Sequence, residues 1–338
     1  MAIELGTSVA ENVFKYSPKA KAVVPIFQGQ GSQEVGMGKD LAKKYRRVRN
    51  LYGKASEILG YSLLDLNEEQ LKRTEFAQPA IFTHSEALRI VAMEGFIRRR
   101  RIDANFIAGY SLGEYNAFLA AGTFSFEDGL KLIAIRGKET QSVQDKNPGG
   151  MILVIGSESE DLASKMRGKF HLFTEAEWSD SEIVLAGLEG NLANAQEWFN
   201  QKDLGKRRLR FLRLNIPGAF HTPLMNPAVK PLKEALDRIS FKRLDKIGVI
   251  SNTKAEVIRE PDEIGQELID HMTMPVLWKQ TLELMERLGT DATLELGSKN
   301  ILSRIGGKKG AAIATLSAAG LGATLATVRY LKERKNKD

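Results

Sequence analysis

Apolar positions along the chain fall into two kinds of run. Short continuous stretches, Ala22-Val23-Val24-Pro25-Ile26-Phe27 and Asn105-Phe106-Ile107-Ala108, read as buried strands. Longer stretches with helical spacing follow each of them: DLAKKYRRV and QPAIFTHSEALRIVAMEG after the first, GEYNAFLAAG after the second. Each strand ends in a glycine-rich turn, at Gly29-Gln30-Gly31-Ser32-Gln33 and at Gly109-Tyr110-Ser111-Leu112-Gly113. From about Gly149 to Pro217 the pattern changes. GMILVIG reads as a strand, EDLASKMR as a helix, KFHLFTEAEW and EIVLAGL as strands, NLANAQEWFNQ as a helix and RRLRFLRLNIP as a strand. That βαββαβ order is the ferredoxin-like split. KIGVISN and ATLELG then return as strands of the main sheet, separated by the helical VLWKQTLELMERLG. The expected organisation is an α/β chain with an N-terminal extension over 1–20, a main domain over 21–148 and 218–338, and an inserted subdomain over 149–217.

Composition narrows the chemistry. The chain has 338 residues, 43% hydrophobic and 27% charged, as expected of a globular protein with a full core. It has no cysteine, which excludes disulfides, thiolate metal sites and a cysteine nucleophile, and fits a cytoplasmic setting. No secretory signal is legible in the first residues. The stretch AAIATLSAAGLGATLATV approaches membrane-span length but is only weakly hydrophobic, so a terminal strand and helix are expected there rather than an anchor. A net charge of +7 gathers in Lys43-Lys44-Tyr45-Arg46-Arg47, Arg98 to Arg101, Lys206-Arg207-Arg208 and the tail. Those runs suit an anionic partner or a solvated face, and they carry no nucleic-acid motif.

The pattern Gly109-x-Ser111-x-Gly113 lies between a strand and a helix, the context of a nucleophile elbow. A sharp turn there projects the serine hydroxyl clear of the backbone and leaves backbone N–H groups at a helix start, where they can hold an oxyanion. The serine needs a base. Of the four histidines, His84 lies in a helix, His171 in an expected strand of the insertion, and His271 at a helix end as a capping residue. His221, in the loop Pro217-Gly218-Ala219-Phe220-His221-Thr222-Pro223, is the best base by elimination. Spacing singles out no carboxylate as a third member, and a backbone carbonyl can orient the imidazole instead.

Three separated motifs carry a family resemblance: Phe27-Gln28-Gly29-Gln30-Gly31-Ser32-Gln33 with Gly36-Met37-Gly38, then Gly109-Tyr110-Ser111-Leu112-Gly113-Glu114-Tyr115, then Phe220-His221 with Leu224-Met225. Together they resemble malonyl-CoA:acyl carrier protein transacylases, including the free-standing acyltransferases that serve polyketide synthases in trans. Weaker landmarks are Gln78-Pro79-Ala80, Ser251-Asn252 and Pro275-Val276-Leu277-Trp278. The resemblance implies an α/β-hydrolase-like core with a ferredoxin-like insertion, acylation of Ser111 by malonyl-CoA with His221 as base, and an oxyanion hole from the N–H groups of Gln30 and Leu112. Transfer then goes to the phosphopantetheine thiol of an acyl carrier protein, with no metal or cofactor. It further implies that a backbone carbonyl in the segment Met274 to Trp278 orients the histidine. Arg136-Gly137-Lys138-Glu139-Thr140-Gln141 looks like the family's R-G-x-x-M-Q, which places Arg136 on the malonyl carboxylate and Gln141 beside the substrate. Phe220 before the histidine goes with malonyl over branched groups.

Tyr110 replaces a usual histidine near the acyl pocket. Gln28 replaces a proline, Thr140 a methionine, and Trp178-Ser179-Asp180-Ser181-Glu182 the family's asparagine-rich turn. Two other readings compete with malonyl transfer: a hydrolase that clears acyl groups from carrier proteins, and a non-catalytic carrier-protein docking module.

Overall fold

The computed structural model describes residues 23–96, 105–202, 208–290, 292–305 and 314–317. The N-terminal extension, the basic run at 98–101, most of the terminal apolar stretch and the tail lie outside the described residues. Among the described residues, no helix is long and apolar enough to cross a membrane.

The main sheet has six strands: β1 (Val23–Phe27), β2 (Phe106–Gly109), β7 (Gly248–Ile250), β8 (Val257–Ile258), β9 (Ala292–Leu296) and β10 (Ala314–Ser317). Their order is β10-β9-β1-β2-β7-β8, with every pair parallel except β7–β8. Every residue of β1 and β2 is buried, which is why both read as unbroken apolar runs: helices cover both faces of a parallel sheet. The carboxyl ends of β1, β2, β7 and β9 all point to one edge, where open parallel sheets gather their ligand sites.

Three helices bring side chains to that edge. Helix α1 (Thr74–Phe96) packs against α3 (Phe126–Lys146), and α2 (Gly113–Ala121) starts directly after β2. Ser125 caps α3 by accepting from the Asp128 N–H at 3.1 Å. A Cβ on Gly137 would stand 3.0 Å from the Thr74 carbonyl oxygen, so glycine lets α3 approach the start of α1 closely.

The second sheet, β4-β5-β3-β6, is antiparallel and comprises β3 (Gly149–Ile155), β4 (Phe173–Ser179), β5 (Glu182–Leu188) and β6 (Arg210–Arg213). With helices α4 (Ser159–Phe170) and α5 (Glu189–Gln201) it gives the expected βαββαβ order. Its strands β3 and β5 alternate strictly. Ile152, Val154, Ile183 and Leu185 pack under the two helices in a small core of their own, whereas Met151, Leu153, Val184 and Ala186 face the main core. The β3 residue Met151 thereby reaches the site described below. His171 is not in a strand as expected. It ends α4 in a left-handed conformation (φ 50°), which histidine tolerates better than most residues, and β4 begins at Phe173.

The two glycines of the Ser111 turn are required by contact. A Cβ on Gly109 would lie 2.1 Å from the Gly113 carbonyl, and one on Gly113 would lie 2.2 Å from the Phe27 carbonyl oxygen of β1. Gly113→Ala should therefore lower stability by about 3 kcal/mol or more. Gly53, exposed within the helix Arg46–Leu59 with open space at its Cβ position, is the contrasting case: Gly53→Ala should raise stability by roughly 0.5–1 kcal/mol. Thermal or urea unfolding of the two variants beside the parent checks both signs.

Candidate active site

Ser111 stands between β2 and α2 with φ 52°, a left-handed conformation that a side-chain-bearing residue holds only when its surroundings impose it. Asn252, at the carboxyl end of β7, supplies much of that imposition. Its Oδ1 accepts from the Ser111 N–H at 2.8 Å and its Nδ2 donates to the Gly109 carbonyl at 2.7 Å. Its own backbone N–H donates to Glu114 Oε1 at 2.8 Å. The Tyr110 N–H donates to the Phe27 carbonyl at 2.9 Å, which ties the turn to β1.

His221 also has a positive φ, 57°, in the loop after β6. Its Nε2 lies 2.7 Å from Ser111 Oγ, and its Nδ1 lies 2.7 Å from the carbonyl oxygen of His271. The expected segment, Met274 to Trp278, is not what holds the ring. The acceptor is the C-cap residue of α6 (Pro261–Asp270), a helix end whose last carbonyls lack intrahelical partners. A bond from Nδ1–H to this carbonyl leaves Nε2 as the acceptor facing the serine. Burial, with the Arg136 guanidinium nearby, pushes His221 down to about 3, so the ring is neutral. His84, expected to be structural, bonds the Tyr52 hydroxyl at 3.3 Å, and burial lowers it to about 4.

Behind His221, the His271 ring packs at a centroid distance of 4.6 Å, and its Nδ1 lies 3.1 Å from Glu114 Oε2. Both groups are wholly buried. Burial holds the Glu114 carboxyl well above its ordinary range and the His271 imidazole well below its own, so the pair is neutral.

A chamber of about 230 Å³ opens at Ser111. Gln30, Tyr110, Arg136, Phe220 and His221 all line it, as the motifs implied. Among the described residues, the N–H groups of Gln30 and Leu112 meet no backbone acceptor in the surrounding turns. Arg136 is 2% exposed; one guanidinium nitrogen donates to Gln78 Oε1 at 2.7 Å, its Nε has no partner among the described residues, and the group lies 5.5 Å from the Tyr115 ring centre. A buried guanidinium with donors to spare suits an incoming carboxylate.

Gln141 lies elsewhere. Its Oε1 accepts from the Thr74 N–H at 2.7 Å and its Nε2 donates to Asp145 at 2.8 Å, so the side chain secures the start of α1 and does not line the chamber. The glutamine that bonds Arg136 is Gln78, one of the weaker landmarks, whose Nε2 donates to Thr74 and Thr140 hydroxyls at 2.7 and 3.2 Å.

One ionisable chamber residue lies in no sequence motif. Glu175, on β4, is 3% exposed, with Oε1 3.9 Å from His221 Nε2. Its donor is the Tyr110 hydroxyl, 3.3 and 3.5 Å from the two carboxyl oxygens, and that hydroxyl accepts from the Trp178 indole N–H at 2.9 Å. Burial pushes the Glu175 carboxyl up to about 8, against the lowering effect of the Tyr110 bond. At the other rim, Glu295 accepts from the N–H groups of Ile301, Leu302 and Ser303 at 2.8, 2.7 and 3.0 Å, fixing the turn that closes the chamber after β9.

A model of the acyl transferase domain family matches residues 24–316. The chain is 31% identical over 319 residues to the malonyl CoA-acyl carrier protein transacylase of Bacillus subtilis (strain 168), covering 92% of this chain and 98% of that protein. It is 32% identical over 288 residues to the polyketide biosynthesis malonyl CoA-acyl carrier protein transacylase PksC of the same organism, covering 82% and 93%. Its fold matches a malonyl-transacylase solved with its type II polyketide acyl carrier protein, with a TM-score of 0.79 at 27% identity over 88% of this chain and 95% of that one.

The two buried titrating groups of the chamber affect stability with opposite signs. Glu175 keeps its proton in the folded chain up to about pH 8 but loses it near its ordinary 4.5 when unfolded, so its contribution fades as pH rises between those values. His221, held at about 3 against an ordinary 6.5, removes stability as pH falls through that lower window. Glu175→Gln should flatten the decline of the thermal midpoint between pH 5 and 8, a difference read directly from melts of both proteins across that range.

Proposed function

Because the chain belongs to the acyl transferase family that includes the malonyl-CoA:acyl carrier protein transacylases, we propose that it moves a malonyl group from malonyl-CoA to an acyl carrier protein. The observation that carries this reading is the relay of Ser111 Oγ, His221 and the His271 carbonyl, at 2.7 Å on each side of the imidazole, opening onto a chamber with a buried arginine.

In the first half-reaction the Ser111 oxygen attacks the thioester carbonyl while His221 Nε2 takes its proton. Negative charge develops on the carbonyl oxygen, where the N–H groups of Gln30 and Leu112 receive it; losing one such donor typically costs about 10²–10³ in rate. The carbon–sulfur bond then breaks and the imidazolium returns its proton to the departing thiolate. Arg136 holds the distal carboxylate throughout. A carbonyl, rather than a carboxylate, behind Nδ1 orients the ring without adding charge beside an anionic substrate. In the second half the phosphopantetheine thiol of the carrier protein gives its proton to His221, attacks the acyl-serine and leaves with the malonyl group.

The net charge of +7 supports a partner as acidic as a carrier protein and a donor as anionic as CoA, and added salt should weaken both encounters. The unsatisfied Arg136 donor favours transfer of an anionic acyl group over hydrolysis of neutral chains.

Mass spectrometry after mixing the protein with malonyl-CoA should find a malonyl adduct on Ser111 that is absent from Ser111→Ala. An unmodified parent protein that leaves carrier protein unloaded overturns the reading. Arg136→Ala should reduce the preference for malonyl over acetyl by at least about tenfold, since a hydrogen bond to a charged group contributes roughly 1.5–3 kcal/mol. The ratio of initial loading rates from the two thioesters measures it.

A further inference from the structure

Transfer of plain malonate gives a buried carboxyl beside the catalytic imidazole nothing to do, yet the chain goes to some length to place one there. The pairing of β4 with β5 shifts register between Thr174 and Ala176, so Glu175 is the extra residue of a β-bulge. Bulges re-aim side chains, and this one is fixed from the main body. The Val276 N–H donates to the Glu175 carbonyl oxygen at 2.8 Å, and Ala176 forms a bridge with Val276.

We propose that Glu175 selects the acyl group, and that the chamber is built for a malonyl-type group bearing a hydrogen-bond donor, a hydroxyl or an amino group, on the carbon between thioester and carboxylate. The inference rests on the roles given above to Ser111 and Arg136. With the acyl carbon on Ser111 Oγ and the carboxylate on Arg136, the central carbon lies between two fixed points. Glu175 Oε1 is 3.9 Å from His221 Nε2, itself 2.7 Å from Ser111 Oγ, so the carboxyl stands beside the first carbons of the acyl chain. Arg136 is engaged by Gln78, so cation and carboxyl are separate fixtures of the chamber, able to meet two different groups on one substrate.

The hydrogen-bond inventory of Glu175 is short. A carboxyl group offers several lone pairs, and among the described residues the donor that meets them is the Tyr110 hydroxyl at long range, 3.3 and 3.5 Å. A methylene leaves that deficit in place, and a methyl branch deepens it by excluding water. A hydroxyl or amino substituent, close to a methyl group in size, fills it. Sites built to bond a substrate OH or NH reject the analogue lacking it strongly, because their own buried groups are left unpaired. The chemistry of transfer is unchanged: the serine oxygen–carbon bond forms, the carbon–sulfur bond breaks, and the serine proton leaves on the thiol by way of His221.

The test supplies the full chain with pantetheine thioesters of malonate, methylmalonate, hydroxymalonate and aminomalonate, and follows acylation of Ser111 by mass spectrometry. Either hydroxymalonyl or aminomalonyl should load at least about tenfold faster than malonyl and methylmalonyl, and the faster of the two identifies the donor. Glu175→Ala should cut the ratio of that rate to the malonyl rate by at least about tenfold. Malonyl loading that is fastest in the parent protein overturns the proposal while leaving the malonyl-transfer reading intact. So does a Glu175→Ala variant that changes all four rates by one factor. No adduct from any thioester overturns both.

Discussion

A serine with a left-handed backbone, wedged between a sheet and a helix that nearly touch, is the constraint on which the rest of this structure depends. Holding φ at 52° costs on the order of 1–3 kcal/mol, and the expense is sustained by neighbours that leave the turn no alternative. Gly109 and Gly113 admit no side chain, the Tyr110 N–H is bound to β1, and Asn252 bonds both the turn and Glu114 behind it. These anchors come from β1, β2, β7 and α2, so the elbow exists only once the parallel sheet has assembled. His221 repeats the arrangement from the opposite side, with its own positive φ and its ring held by the end of α6.

The second theme is neutrality in a dry place. His221, His271, Glu114 and Glu175 are all buried, and burial drives each toward its uncharged form. The permanent charge among them is the Arg136 guanidinium, whose proton affinity burial lowers without discharging it. A single cation in such surroundings acts on an incoming carboxylate with little screening. The same cation disfavours an imidazolium before substrate arrives, and the negative charge that develops on the acyl group relieves that penalty as the serine proton moves.

Much of this was legible in the sequence, for local reasons. The buried strands announced themselves as apolar runs, the elbow as glycines flanking a serine at a strand end, and the insertion as a change of periodicity whose βαββαβ order the structure repeats. Ser111, His221, Arg136, Phe220 and Tyr110 lie in motifs, and they meet in one chamber. What stayed hidden is tertiary. The acceptor behind His221 is a main-chain atom of His271, which no side-chain pattern encodes. Gln141 and Gln78 are both buried glutamines beside Arg136 in the helix pair, and only the packing of α1 on α3 decides which one bonds it. Glu175 lies in no motif, and a register shift, invisible to alternation, turns it inward.

The bulge at Glu175 divides the labour of the chamber between two parts of the chain with different freedom to change. The nucleophile and its base sit where nearly every neighbour is fixed by contact or by backbone conformation, so few substitutions there are survivable. Glu175, Trp178 and Met151 belong to a sheet with its own small core, joined to the main body along that face by the Val276 hydrogen bond and the packing around it. This wall touches the strained turn through the Tyr110 side chain, whose hydroxyl meets Glu175 and Trp178, whereas the turn's backbone is held by Asn252 and β1. A substitution at Glu175 can thus alter the walls of the chamber while the backbone that fixes the nucleophile keeps its anchors.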